Sequence, residues 1–87
     1  MFHLIIVGDV QGVGFRQFLK YNARRLSITG WVKNLPDSRV EAMLVGNAES
    51  LEKMIEFAKK GPAIALVKDV SIEELPDQEF ESFEIIK

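Results

Sequence analysis

The 87-residue sequence contains no cysteine and no long apolar run. Without cysteine the chain forms neither a disulfide framework nor a reactive thiolate. No apolar stretch approaches the roughly 20 residues that span a bilayer, and the first residues lack the basic stretch and cleavage site of a secretory signal. We therefore expect a cytoplasmic protein with no membrane-spanning segment.

The sequence is also poor in groups that bind metal ions. His3 is the only histidine, and neither a cysteine nor a second histidine is available as a co-ligand. His3 is expected to be a surface or edge residue. The acidic residues near the C-terminus lack the glycine-containing spacing of a calcium loop, so they are interpreted as a solvated face, and no metal or other cofactor is predicted. These residues are Asp69, Glu73, Glu74, Asp77, Glu79, Glu81 and Glu84.

Basic residues are fewer than acidic ones. The chain has 11 lysines and arginines against 13 aspartates and glutamates, for a net charge of −2. Non-specific nucleic-acid binding depends on clustered basic side chains, so no nucleic-acid partner is predicted. Any anion site must be made locally by a few groups.

What the sequence does contain, in its first half, is the pattern of a strand, a helix and a hairpin. A run rich in β-branched residues predicts a strand that stops at Gly8. Apolar residues then recur at helical spacing from Gly14 to Leu26. Two further β-type runs flank a Pro-Asp turn. The predicted ranges are 2–7 for the first strand, 28–34 and 39–45 for the hairpin strands, and 35–38 for the turn.

The second half predicts one more helix and two more strands. Asn47 is a suitable N-cap for the helix, and Gly61-Pro62 ends it. The apolar stripe of this helix consists of Leu51, Met54, Ile55 and Ala58. The predicted strands cover residues 66–73 and 80–86, and the second of them is short and lies at an edge.

The order of these elements is β-α-β-β-α-β with one additional edge strand. Right-handed crossovers place both helices on the same face of an antiparallel sheet. This is the ferredoxin-like α+β arrangement. Residues 1–87 are expected to form a single domain, since their number is ordinary for one.

The most informative segment connects the first strand to the first helix. Two glycines flank one residue there, and Arg16 follows in the first helical turn. Glycine lets the main chain approach a ligand closely, and the first N–H groups of a helix bind anions at the positive end of its dipole. The arginine fork suits phosphate oxygens. The candidate phosphate-binding residues are Gln11, Gly12, Val13, Gly14, Phe15 and Arg16.

Local features alone leave a second interpretation open. A tight strand-to-helix turn with Arg16 in solvent accounts equally well for the glycines. No glycine stands at position 17 and no Gly-Lys-Ser/Thr follows, so neither standard nucleotide motif is present. Asn34 is ambiguous in the same way, because asparagine before Leu-Pro-Asp commonly opens a turn.

The loop resembles the signature of the acylphosphatase family. Residues 10–16 (VQGVGFR) are similar to the first family signature, and residues 30–34 (GWVKN), with Asp37 and residues 40–41, are similar to the second. The resemblance extends over essentially the whole chain. In the C-terminal half it includes Gly61, Pro62, Val67, Val70, Phe80, Phe83 and Ile85.

The resemblance implies a metal-independent enzyme that hydrolyses acyl phosphates on a ferredoxin-like fold. It maps the catalytic arginine to Arg16, the water-positioning asparagine to Asn34, and the phosphate-binding amides to residues 11–16. It further implies a small acyl phosphate and phosphate as ligands, and we expect the chain to be a monomer.

Three residues depart from the family pattern. Asp9 precedes the loop where the family often has a basic residue, which predicts weaker phosphate binding. Ser27 and Ser38 stand where the family usually has glycine. Left-handed geometry at either serine costs about 1–2 kcal/mol, which affects stability and not chemistry.

Two rival functions compete with hydrolysis. Residues 11–18 partly match an RNA-binding motif of RRM domains, which share the element order, but that motif belongs on a sheet strand. A non-catalytic anion-binding module on the same fold is the other rival. Asn34 separates this rival from an enzyme, because a binder needs the loop and Arg16 but not the asparagine.

Overall fold

A computed structural model describes all residues from Met1 to Lys87. It contains five strands and two helices in the predicted order. Neither helix has the length and hydropathy required to cross a membrane. The elements are β1 (Phe2–Asp9), α1 (Phe15–Arg25), β2 (Thr29–Asn34), β3 (Val40–Val45), α2 (Ala48–Lys60), β4 (Leu66–Glu74) and β5 (Phe83–Ile86).

The five strands form one sheet in the order β4-β1-β3-β2-β5. The pairs β1–β4, β1–β3 and β2–β3 are antiparallel, while β5 is parallel to β2. The four-stranded antiparallel part and the extra edge strand are as predicted, and the parallel pairing of β5 makes the sheet mixed. Because β1 and β2 both run opposite to β3, the C-terminal ends of β1, β2 and β5 lie at the same end of the sheet.

The core lies between the sheet and the two helices. Alternate residues of the strands face it, as the period-2 pattern predicts; Val40, Ala42 and Leu44 of β3 are fully buried. Helix α2 contributes Leu51, Met54 and Ala58 of its predicted stripe, whereas Ile55 is only half-buried and lies outside the core. Helix α1 contributes Phe15, Leu19 and Ala23, with Asn22 as a buried polar addition. Asn47 caps α2 as expected, and its side chain accepts a hydrogen bond from the Ser50 N–H at 2.8 Å.

Two predicted strand boundaries were wrong. Strand β1 does not stop at Gly8 but continues to Asp9 through a bulge between Val7 and Gly8. Gly8 lies so close to β4 that a Cβ there would be 2.1 Å from the Leu66 carbonyl oxygen; glycine is therefore required for a close approach and does not end the strand. Strand β5 begins at Phe83 and not at residue 80.

The two serines at which the resemblance leads us to expect glycine, Ser27 and Ser38, adopt left-handed geometry. The φ angle is 57° at Ser27 and 76° at Ser38, and no other residue except glycine has a positive φ. Ser27 follows the end of α1, and Ser38 lies in the β2–β3 turn. Left-handed geometry favours glycine, which agrees with the glycine that the resemblance leads us to expect at these two positions.

Candidate active site

The loop between β1 and α1 exposes main-chain donors at its helical end. Gly12 and Gly14 have φ angles of 74° and 76°. A Cβ added to either glycine would meet no atom within 4 Å, so this side of the loop is open. Gly14 is the N-cap of α1, and no side chain caps the first helical turn. The N–H groups of Phe15, Arg16 and Gln17 therefore have no partner inside the protein.

Arg16 projects from that first turn and is half-buried. The Arg16 guanidinium forms neither an ion pair nor a hydrogen bond with another protein group. The helix has no acidic residue in its first turn. The positive end of the helix dipole is thus reinforced by an unpaired cation, which is the electrostatic arrangement of an anion site.

Asn34 is the last residue of β2. The Oδ1 atom of Asn34 is buried and is the one buried side-chain polar atom without a hydrogen-bond partner in the protein. Buried polar atoms are paired in the great majority of cases, and an exception is often explained by function. The Asn34 side chain therefore carries an acceptor that no protein group satisfies.

A single cavity of about 240 Å³ brings the loop, Arg16 and Asn34 together. Gln11 and Val13 of the predicted phosphate site do not line it. Val13 instead packs against the core. The residues that line the cavity are Val10, Gly12, Gly14, Phe15, Arg16, Gln17, Asn34, Ile85 and Lys87.

The Gln11 side chain is directed toward the β2–β3 turn. The Gln11 Nε2 group donates hydrogen bonds to the carbonyl oxygens of Leu35, at 2.8 Å, and Arg39, at 2.9 Å. These two residues also bond to each other across the turn, from the Leu35 N–H to the Arg39 oxygen at 2.8 Å. Since Leu35 directly follows Asn34, Gln11 connects the β1–α1 loop to the segment that carries Asn34.

Two cavity residues from the end of the chain were not predicted. Ile85 lies in β5 and Lys87 follows it, and they reach the cavity because β5 runs parallel to β2 with Ile86 opposite Lys33. The alternation of residues 83 and 85 indicates that Ile85 faces inward. No local pattern indicates that Lys87 adds a second cation beside Arg16.

The other residues considered from the sequence lie outside the cavity. His3 lies on the interior strand β1, on the sheet face away from the helices, with Nε2 2.6 Å from Glu41 Oε2 and Nδ1 3.8 Å from Glu73 Oε1. Asp9 is exposed at the end of β1. No group of three or more His, Cys, Asp or Glu side chains is arranged to hold a metal ion.

Comparisons with known proteins agree with this geometry. The family model described as Acylphosphatase matches residues 2–85. An acylphosphatase from Acaryochloris marina is 46% identical over 83 residues, which are 95% of this chain and 89% of that protein. The crystal structure of acylphosphatase from Bacillus subtilis superimposes with a TM-score of 0.95 at 37% identity, covering 99% of this chain and 97% of that one.

A larger protein contains a similar unit. The crystal structure of HypF from T. kodakarensis matches with a TM-score of 0.82 at 39% identity, over 99% of this chain but only 11% of that one. The same fold thus occurs as a small part of a much longer chain.

Proposed function

The chain belongs to the acylphosphatase family, and we propose that it hydrolyses acyl phosphates to a carboxylate and inorganic phosphate at the cavity shared by Arg16 and Asn34. The observation that carries this proposal is that Arg16, the start of α1 and Asn34 all line that cavity, and that each has an unpartnered polar group. These groups are the Arg16 guanidinium, the first N–H groups of α1 and the Asn34 Oδ1 atom.

In the proposed complex the phosphoryl group is held by Arg16 and the loop amides. The planar guanidinium donates to two phosphate oxygens at once. Main-chain N–H groups at the start of α1 donate to the others. Phosphoryl transfer depends mainly on positioning and on stabilising charge that spreads over the equatorial oxygens, so these donors contribute most when the transition state forms.

Asn34 is proposed to position the attacking water. If the Asn34 Oδ1 atom accepts a hydrogen bond from the water, a lone pair of the water oxygen is left to point at phosphorus. A carboxamide does not remove a proton at neutral pH. We propose that the water proton passes to a phosphate oxygen as the new P–O bond forms.

The leaving group needs no proton. As the bond between phosphorus and the acyl oxygen breaks, the electron pair stays on a carboxylate whose acid has a pKa near 4. No general acid is therefore required, and charge stabilisation is assigned to Arg16 and the amides. This chemistry calls for no metal ion in the proposed mechanism.

The test is the hydrolysis of benzoyl phosphate by the purified protein. We expect release of phosphate without added metal and no change in rate with EDTA. An Arg16→Gln variant is expected to lose both turnover and inhibition by phosphate. Binding of phosphate without turnover in the wild-type protein would support the rival anion-binding module instead.

The RNA-binding rival is disfavoured by the position of its motif. Residues 11–18, which partly match the RRM motif, lie in a loop and the first turn of α1 and not on a strand. The absence of a nucleic-acid partner remains a prediction. We propose that residues 1–87 act as one monomeric, cytoplasmic domain, which also stays a prediction.

A further inference from the structure

Helix α1 is strongly basic in a chain that is slightly acidic. The helix contains Arg16, Lys20, Arg24 and Arg25 and no acidic residue, although the chain as a whole carries a net charge of −2. Three of these cations, Arg16, Lys20 and Arg24, are spaced four residues apart. They therefore lie on one side of the helix, at intervals of about 6 Å along its axis.

The side of α1 that carries Lys20 adjoins the proposed active site. This open face of the helix is formed by Gln17, Lys20, Tyr21, Arg24 and Arg25. Gln17 lines the active-site cavity as well. The basic face of α1 and the active-site cavity thus meet at Gln17, so a ligand group that extends out of the cavity past Gln17 lies next to Lys20.

Lys20 is the cation of this surface that is free to bind an anion. The ammonium group of Lys20 forms no ion pair within the protein. Arg24 already donates to the carbonyl oxygen of Phe83 and to Glu84 Oε2, both at 3.3 Å. The guanidinium of Arg25 lies over the Tyr21 ring, 5.5 Å from its centroid.

Glu84 is the acidic side chain that faces this row. A hydrogen bond from the Ser82 hydroxyl is the main cause that lowers the pKa of Glu84, and the charges of Arg24 and Lys20 lower it further. The carboxylate of Glu84 is exposed and thus competes in solvent for the same cations.

We propose that Lys20, with Arg24 one turn behind it, forms a second anion subsite that binds a carboxylate or phosphate at the far end of the acyl group. The inference rests on the proposed function, because the phosphoryl group at Arg16 sets the position of the substrate. It defines a substrate class: acyl phosphates whose acyl part carries its own negative charge. A neutral acyl group has no charge for the Lys20 ammonium group to attract, so Lys20 does not strengthen its binding.

The experiment compares two substrates, succinyl phosphate with a terminal carboxylate and benzoyl phosphate without one. Lys20→Gln is expected to lower kcat/KM for succinyl phosphate about fivefold through KM, the factor given by one unit charge a few ångströms from another in water. Benzoyl phosphate should be turned over at nearly the wild-type rate. Glu84→Gln removes the competing carboxylate and should raise the succinyl-to-benzoyl preference.

Lys59→Gln is the matched control. It makes the same change in net charge at an exposed position in the last turn of α2, and it should leave the preference unchanged. An equal effect of Lys20→Gln on both substrates, or an equal loss of preference in Lys59→Gln, would overturn the subsite while the proposed function stands. Absence of turnover of both substrates by the wild-type protein would overturn the proposed function, and the subsite with it.

Discussion

Arg16 and Asn34 each occupy a position that costs free energy. A cation in the first turn of a helix opposes the dipole by about 0.3–1 kcal/mol, and a buried acceptor without a partner costs about 1–3 kcal/mol. Arg16 and the Asn34 Oδ1 atom show these two features at one cavity. A bound phosphate and a bound water would relieve both costs. The energetics of these two residues therefore favour a ligand site over a simple turn.

Asn34→Ala distinguishes a role in positioning the attacking water from a role in binding phosphate. We expect kcat for benzoyl phosphate to fall by about 10²–10⁴-fold, the range for a positioned catalytic group. The phosphate inhibition constant should stay unchanged, because Arg16 and the amides hold the anion. The variant should also be as stable as the wild type in urea, since the replacement removes an unpaired acceptor. Equal losses in inhibition and turnover would show that Asn34 binds phosphate.

Replacing either left-handed serine with glycine is expected to stabilise the fold without lowering activity. Ser27→Gly and Ser38→Gly relieve about 1–2 kcal/mol of strain each, partly offset by the greater freedom of glycine in the unfolded chain. We expect each to raise the free energy of unfolding by about 0.5–1 kcal/mol, measured in urea. Ser50→Gly, inside α2, is the control and should lower it by a similar amount. A loss of stability in Ser27→Gly would contradict this explanation.

At the scale of elements, the candidate site is made by strand ends that meet. Loop β1–α1 supplies the donors, the end of β2 supplies Asn34, and the end of β5 supplies Ile85 and Lys87. Gln11 fixes the first two of these segments to each other through two hydrogen bonds. We therefore expect the relative position of the proposed phosphate cradle and the proposed water site to depend on Gln11, which does not line the cavity.

Gln11→Leu removes both hydrogen bonds and introduces an apolar side chain of similar size. The Leu35 and Arg39 oxygens retain one main-chain bond each, from Ser38 and Leu35, so we expect a loss of only about 1–3 kcal/mol in stability. We expect kcat to fall by roughly 10–100-fold, because misplacement by an ångström has such effects, with KM little changed. Gln78→Leu, at an exposed loop position, is the control and should change neither stability nor kcat. Unchanged kcat in Gln11→Leu would contradict the positioning role.

At the scale of the whole molecule, the site and the core share residues. Phe15 lines the cavity and is also a fully buried member of the core. Its ring reaches the end of α2, where a Cβ on Gly61 would be 2.8 Å from it. The cavity therefore exists only while this core is packed, so a ligand that fills it binds the folded state and not the unfolded chain.

Inorganic phosphate is therefore expected to stabilise the protein against heat. At ten times its dissociation constant, a ligand of the folded state adds about 1.4 kcal/mol. For a domain of this size that corresponds to an increase in Tm of roughly 6–11 °C, measurable by calorimetry. Arg16→Gln should abolish the increase, and Lys59→Gln should retain it. The same increase in Arg16→Gln would indicate a different anion site.

The types and order of the elements followed from the sequence because their signals are local. Apolar periods of 2 and 3.6 depend only on neighbours along the chain. The same holds for the N-cap at Asn47, the left-handed position 27 after α1, and the glycine loop before α1, whereas the expectation at position 38 came from the family resemblance. The family signatures then paired this loop with Asn34, which neither segment indicates by itself.

The tertiary structure alone decided how β5 pairs, and with it that Ile85 and Lys87 line the cavity. A four-residue strand with one buried face fits a free sheet edge in either direction, so its alternation leaves the direction open. It also decided that Gln11 bonds to the β2–β3 turn and that α1 presents its basic side next to the site. These contacts join residues far apart in sequence, and their energies depend on distances that exist only once the strands have paired.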